Sequence, residues 1–279
     1  GFAVGGNAAL GKTADGGEAW TWRSDLSDTR GNRLLGVHFV DERYGWVVGS
    51  SSRIYRTTDG GASWEVETWE VGRTFRGVHF ADRRAGIVVG DDGFVIWSAD
   101  GGKTWALRVV STKASMRAAH CVNSTHGFVA GYLGSLFRTR DAGQSWQEPP
   151  DKSATTSMFF LGVSFAPGGL NGWAVGQRGE PPAVAPGLLL STTDGGDTWV
   201  EDRRTKLLNQ RLNSVTSHAE LVPACPTTSW DPSAGERTTT TRTTTTANAI
   251  AQQVQETELE LLTLMSATGA AERMVSNTA

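Results

Sequence analysis

Thr57-Thr58-Asp59-Gly60-Gly61-Ala62-Ser63-Trp64 decides the reading of this chain, because it does not stand alone. It returns as Thr13-Ala14-Asp15-Gly16-Gly17-Glu18-Ala19-Trp20 and as Ser98-Ala99-Asp100-Gly101-Gly102-Lys103-Thr104-Trp105. It returns again as Thr139-Arg140-Asp141-Ala142-Gly143-Gln144-Ser145-Trp146 and Thr192-Thr193-Asp194-Gly195-Gly196-Asp197-Thr198-Trp199. The aspartates stand at 15, 59, 100, 141 and 194, so successive boxes are 44, 41, 41 and 53 residues apart. A near-constant period of about 40 residues marks a repeat architecture.

The stretches between boxes repeat as well. Gly36-Val37-His38-Phe39, Gly77-Val78-His79-Phe80, Ala118-Ala119-His120-Cys121 and Gly162-Val163-Ser164-Phe165 form one element. Gly45-Trp46-Val47-Val48-Gly49, with counterparts ending at Gly90, Gly131 and Gly176, forms a second. Arg53 to Thr57, Phe94 to Ser98 and Ser135 to Thr139 form a third, and a short run after each box Trp a fourth. Short β-branched and aromatic runs bounded by Gly, Asp and Asn read as strands joined by tight turns. Four strands per repeat predict an all-β fold, a β-propeller of four-stranded blades with five blades visible. Gly1-Phe2-Ala3-Val4-Gly5 matches a second strand, so the first blade lacks its innermost strand. Leu212 to Ser217 resembles a degenerate first strand. Two readings stay open: it closes a five-bladed ring, or the chain is a truncated piece of a larger, seven-bladed ring, the reading toward which the loss of pattern after Ala219 inclines. The chain begins with Gly1 and shows no charged-then-apolar leader, which reads as a processed form or a fragment.

In each box the Asp (Asp15, Asp59, Asp100, Asp141, Asp194) sits on the turn between third and fourth strands. Its carboxylate suits backbone N–H groups across the turn, and the glycines suit positive φ. The box Trp (Trp20, Trp64, Trp105, Trp146, Trp199) is expected to anchor that hairpin in the core. The same residues in every blade make a structural staple rather than a catalytic ring.

Composition narrows the function. The chain has 279 residues, 34 Gly, 11 Trp, 9 Pro and 2 Cys. The glycines follow no three-residue period, which excludes collagen. Two cysteines make neither a disulfide framework nor a four-thiolate zinc site. A net charge of −3 is not the basic body of a duplex-binding protein, so no nucleic-acid partner is expected. No apolar run approaches the ~18 residues of a helical membrane span. The organisation expected is residues 1–204 as propeller repeats, 205–219 as a ring-closing strand, and 220–279 as a tail. That tail has a Thr-rich run at 238–246 and a short amphipathic helix at 250–265.

Length variation locates a working face. The 53-residue interval carries most of its extra length in the turn Gln177 to Gly187, which emerges with the inter-blade links opposite the boxes. Arginine gathers there too. Arg76 and Arg117 stand just before the first strands of successive blades, Arg33 and Arg73 lie in links, and Arg178 in the long turn. Guanidinium groups suit carboxylates and phosphates, although pairing of each Arg with a neighbouring acid is an equal alternative. His38, His79 and His120 fall in register, but blade faces pack on one another rather than converge, so no metal site is expected. Cys121 stands where other blades have Phe and reads as a buried free thiol. Cys225 lies in the irregular tail, too remote to pair with it.

The sequence Gly77-Val78-His79-Phe80, the Gly45-Trp46-Val47-Val48-Gly49 element and the Thr57 to Trp64 box together resemble the repeat of the photosystem II stability and assembly factor family of cyanobacteria and chloroplasts. The resemblance covers residues 1–204. It implies a seven-bladed, non-catalytic scaffold without cofactors. It implies a protein partner, a newly made photosystem II reaction-centre subunit or its precursor, held at the lumenal side of the thylakoid. Arg76 and Arg117, with Arg33 and Arg73, would make that contact. The chain departs from the family in its five recognisable repeats and in its tail. An extracellular, sortilin-like or carbohydrate-binding protein, with periplasmic or extracellular location, is the alternative. A sialidase-like hydrolase is the enzymatic one, but Tyr44, Tyr55 and Tyr132 have no convincing Glu partner for that chemistry. Asp91, Asp92 and Glu180 lie on the working face without a spacing that singles them out.

Overall fold

The computed structural model describes residues 1–24, 26, 32–69, 72–110, 112–179, 187–202, 213 and 215. Most of the long turn including Glu180, the proposed ring-closing strand except Asn213 and Val215, Cys225 and the whole tail with its expected helix lie outside the described residues.

Five antiparallel sheets follow one another, one per box. Blade 1 holds β1 (Phe2–Val4), β2 (Leu10–Lys12) and β3 (Thr21–Arg23). Blade 2 holds β4 (Leu34–Phe39), β5 (Gly45–Gly49), β6 (Arg53–Thr57) and β7 (Glu65–Thr68). Blade 3 holds β8 (Phe75–Phe80), β9 (Gly86–Gly90), β10 (Phe94–Ser98) and β11 (Ala106–Val109). Blade 4 holds β12 (Met116–Cys121), β13 (Gly127–Gly131) and β14 (Leu136–Thr139), and blade 5 holds β15 (Met158–Phe165), β16 (Gly172–Arg178), β17 (Gly187–Thr192) and β18 (Val200–Glu201). Each strand pairs with the next in sequence, the meander of a propeller blade. Blade 1 has three strands and no inner one among the described residues, and its β1 aligns with the second strands of the other blades. In blade 4 the fourth strand shrinks to a single bridge, Arg138 to Gln147. Pro149 and Pro150 follow at once, and neither can donate to a ladder. Among the described residues no helix is long and apolar enough to cross a membrane, which leaves β-barrel spans unaddressed.

The core is a series of inter-blade sandwiches. The aromatic residue of one blade's second strand stacks on the first-strand Phe of the next blade. Phe2 lies 3.9 Å from Phe39, Trp46 3.5 Å from Phe80, and Phe128 3.6 Å from Phe165, centroid to centroid. The box Trp then meets that Phe edge-on, Trp105 on Phe80 at 5.7 Å and Trp199 on Phe165 at 5.9 Å. Between blades 3 and 4 the pair is Ile87 and Cys121, both buried in one cluster. Gly86 explains itself here: a Cβ would sit 2.4 Å from the Phe80 ring lying across it. The Cys121 thiol is free and buried, and desolvation pushes it up to about 12.

Candidate functional site

The boxes come first, because they fix one face. Thr57 Oγ1 donates to Asp59 at 2.8 Å and accepts from Gly61 N at 2.9 Å, while Asp59 accepts from Ser63 N at 2.9 Å. The same set recurs around Asp15, Asp100, Asp141 and Asp194. Gly60 and Gly61 have φ of 71° and 79°, the left-handed region where a Cβ is penalised. The Ser145 hydroxyl, then its amide, hold the Asp141 carboxyl down to about 2. These carboxylates are spent on their own turns.

The box tryptophans are less buried than expected. Trp199 is 7% exposed, but Trp64, Trp105 and Trp146 are half-buried and Trp20 is 38% exposed. The reason is geometric. Each box Trp faces the preceding blade, and no blade precedes Trp20 among the described residues. A further device was not visible in the repeat. Each of the last four box turns accepts a hydrogen bond from the preceding blade: Lys12 Nζ on Gly60 O at 2.8 Å, Trp46 Nε1 on Gly101 O at 3.0 Å, Arg108 Nε on Ala142 O at 3.1 Å and Arg138 Nη1 on Gly195 O at 2.9 Å. The acceptor is constant while the donor is Lys, Trp or Arg, so no residue pattern betrays it.

The opposite ends of the first strands carry the arginines. Arg76 and Arg117 do not precede their strands but stand inside β8 and β12. Each of the four first strands shifts register near its start, between Leu34 and Gly36, Phe75 and Gly77, Met116 and Ala118, and Phe160 and Gly162. The extra residue in each bulge is Leu35, Arg76, Arg117 or Leu161. A bulge leaves one residue out of the ladder and re-aims its side chain. All four, with Asn213, line one cavity of about 250 Å³. Strand alternation could not have shown this, because the bulge breaks the period of two.

Arg76 is engaged as well as positioned. Its Nε and Nη2 reach the two oxygens of Asp91 at 2.5 and 3.1 Å, and Ser115 Oγ donates to Asp91 at 2.8 Å. Burial works to raise the Asp91 pKa, but the Arg76 and Ser115 bonds and the Arg117 charge outweigh it and hold it low. Arg117 lies 5.0 Å over the Tyr132 ring. Arg73 pairs with Asp92 at 2.7 Å and lies 5.7 Å over Phe94. Arg33 is exposed at the link, its amide donating to Ser50 Oγ at 2.8 Å. Arg178 belongs to strand β16 rather than the long turn, and it pairs with Glu201 on the outermost strand. It does not line the cavity. Acid pairing thus takes Arg73, Arg76 and Arg178, and among the described residues the cavity brings together Arg76 and Arg117.

The histidines depart from expectation in one respect. His38, His79 and His120 stack in succession at 4.1 and 4.2 Å. Phe80 N donates to His38 Nδ1 and Cys121 N to His79 Nδ1, each at 3.0 Å. An inner strand has no partner on its axial edge, and the preceding blade's imidazole satisfies one of its amides. Burial lowers His38 and His120 to about 4 and His79 well below its ordinary value. All three are held neutral, and His38 and His79 act as acceptors. Among the described residues no group of three His, Cys, Asp or Glu is placed to hold a metal. Of the tyrosines, Tyr55 is buried and donates to Leu26 O at 2.8 Å, Tyr44 lies under Arg83, and Tyr132 stacks near Phe159 beside Arg117.

The sequence matches the family model of the photosynthesis system II assembly factor YCF48 over residues 1–66, 28–115 and 107–217. No curated protein sequence matches it. Among solved structures it is similar to YCF48 bound to D1 peptide, with 22% identity over 64% of this chain and 84% of that one and a TM-score of 0.39. It is similar to YCF48 from Cyanidioschyzon merolae, with 16% identity over 63% and 86% and a TM-score of 0.38. The GH74 xyloglucanase from Xanthomonas campestris shares the propeller fold at 18% identity over 70% of this chain and 34% of that one, with a TM-score of 0.51.

Proposed function

The chain belongs to the family of the photosynthesis system II assembly factor YCF48, and from that premise we propose that it is a non-catalytic scaffold that binds a photosystem II reaction-centre subunit or its precursor through the bulge-lined face. The observation that carries this reading is the cavity shared by Leu35, Arg76, Arg117 and Leu161. Four successive blades direct one residue each to a common opening, two apolar and two cationic. Such a lining accepts an extended segment that brings a carboxylate to the arginines and an aliphatic side chain to the leucines. Charge-assisted bonds are roughly twice as strong as neutral ones, and a bidentate Arg adds direction. Asp91 holds Arg76 in place from behind, so Arg76 is oriented before a partner arrives. The boxes on the other face are consumed by turn and inter-blade bonds. The compartment proposed is the lumenal side of the thylakoid, the place the family resemblance implies.

Arg117→Gln tests the reading and leaves the Arg76–Asp91 pair in place. Binding of a D1-derived peptide, measured by calorimetry, should weaken by about tenfold, equivalent to ~1.4 kcal/mol. The melting temperature should hold. Unchanged affinity in a normally folded variant would refute the proposal.

A further inference from the structure

On the box face, the crevice between blades 4 and 5 differs from the one between blades 2 and 3. In the latter, Arg83 reaches from the blade 3 turn across to blade 2, pairing with Asp41 at 2.6 Å and lying 4.3 Å over the Tyr44 ring. The crevice carries its own cation and its own carboxylate. In blades 4 and 5 the corresponding positions are Gly168 for Arg83, Asn123 for Asp41 and His126 for Tyr44. The bridging side chain is missing and so is the acid. An open cavity of about 300 Å³ remains, at the lower end of the range for ligand pockets.

Its walls have changed in charge balance as well as in shape. Arg138 and Arg140 line it with His126, and no aspartate or glutamate does. Behind that wall Asp197 pairs with Arg138 and stands 3.6 Å from Arg140, so one carboxylate orients two guanidinium groups without cancelling them. Arg138 is nearly buried, while the Arg140 side chain is 54% exposed. Val122 and Phe128 supply apolar floor, and Leu170, 61% exposed, forms the rim. Gly168 has open space where a Cβ would stand, so nothing of the chain itself intrudes there.

We propose that this crevice is a carboxylate-binding site, distinct from the bulge-lined face, which takes from outside the anion that Asp41 supplies internally between blades 2 and 3. The carboxylate can come from a free polycarboxylate or from an acidic side chain of a protein segment whose aliphatic neighbour rests on Leu170. Citrate represents the first source, and a capped tetrapeptide with two glutamates flanked by leucines the second. The glutamine form of that peptide is the control. Each is titrated into the full chain by calorimetry.

One probe should bind with a dissociation constant below about 1 mM, and Arg140→Gln should weaken it about tenfold or more. Gly168→Asp, which offers the cavity an internal acid, should do the same. Its φ of 89° is one that Asp accepts more readily than most residues. Arg140→Gln keeps the test decisive if that variant folds poorly. Citrate binding assigns the site to small acids, and binding of the glutamate but not the glutamine peptide assigns it to a partner's acidic segment. Failure of both probes on the native chain, or equal binding to native and Arg140→Gln protein, would overturn the proposal.

Discussion

Trp46 and Trp105 press on the same ring, Phe80, yet replacing each with Phe should have different consequences. Trp46 is 1% exposed, stacks on Phe80 at 3.5 Å and donates Nε1 to the buried carbonyl of Gly101 at 3.0 Å. Trp105 meets Phe80 edge-on at 5.7 Å, and its buried Nε1 has no hydrogen-bond partner among the described residues. Indole to phenyl removes the same atoms at both sites, a loss of about 1–2 kcal/mol in buried area. At position 46 the change also orphans the Gly101 carbonyl, adding about 1–3 kcal/mol. At position 105 it removes an orphaned donor, returning a similar amount. Trp46→Phe should therefore destabilise by about 2–5 kcal/mol and Trp105→Phe should be near neutral. For a domain of this size that is roughly 5–15 °C between the two melting temperatures. Urea unfolding followed by circular dichroism at a fixed pH would read it directly. Equal midpoints for the two variants would show that the inter-blade bond from Trp46 to the box carries no stability.

The histidine stack sets a pH window. His38 and His120 fall to about 4 and His79 well below its ordinary value through burial, so the unfolded chain binds protons that the folded one refuses. Stability is then fully present above about pH 6.5 and declines as pH falls toward 4. A melting temperature that drops between pH 7 and 4.5, and drops less in His79→Gln, is the expected outcome; an identical drop in the variant would exclude the stack as its source. Gly86→Ala should cost about 1–3 kcal/mol, because its Cβ would meet the immobile Phe80 ring at 2.4 Å, and a denaturation midpoint equal to the native one would contradict that packing. Cys121, buried and shifted to about 12, should react with a thiol reagent only upon unfolding; rapid labelling of native protein at pH 8 would mean the site opens.

The fold was legible because every blade states it again. Strands, turns and boxes follow from periodicity, and the three-stranded blade 1 seen among the described residues follows from aligning Gly1 to Gly5 with its repeats. What the repeat hid were features that do not repeat in letters. The donor to each of the last four boxes is Lys12, Trp46, Arg108 or Arg138, chemically varied and similar only in reach. The bulge positions hold Leu35, Arg76, Arg117 and Leu161, and only register shows that these are one class. Arg76 and Arg117 could be marked by their equivalence, but the two leucines between which they sit could not. The burial expected of the box Trp fails at Trp20 because burial belongs to the neighbouring blade, not to the box.

The bulge explains how a structural repeat can carry a variable surface. Residues within the first strand are constrained on both faces, as Phe75, Val78 and Phe80 are by their burial in one cluster. The bulged residue escapes that constraint, since its backbone leaves the ladder and its side chain meets the opening instead of a neighbouring blade. Its identity is then not fixed by the strand ladder, which is why both Leu and Arg occur there without altering the strand, although Arg76 carries its own pair with Asp91. Specificity for a partner can therefore be rewritten one blade at a time. Exchanging Leu35→Arg should extend the cationic lining while leaving the melting temperature unchanged, and its test is whether affinity for an acidic segment rises and its salt dependence steepens together. A gain in affinity indifferent to salt would show that the added arginine does not face the shared cavity.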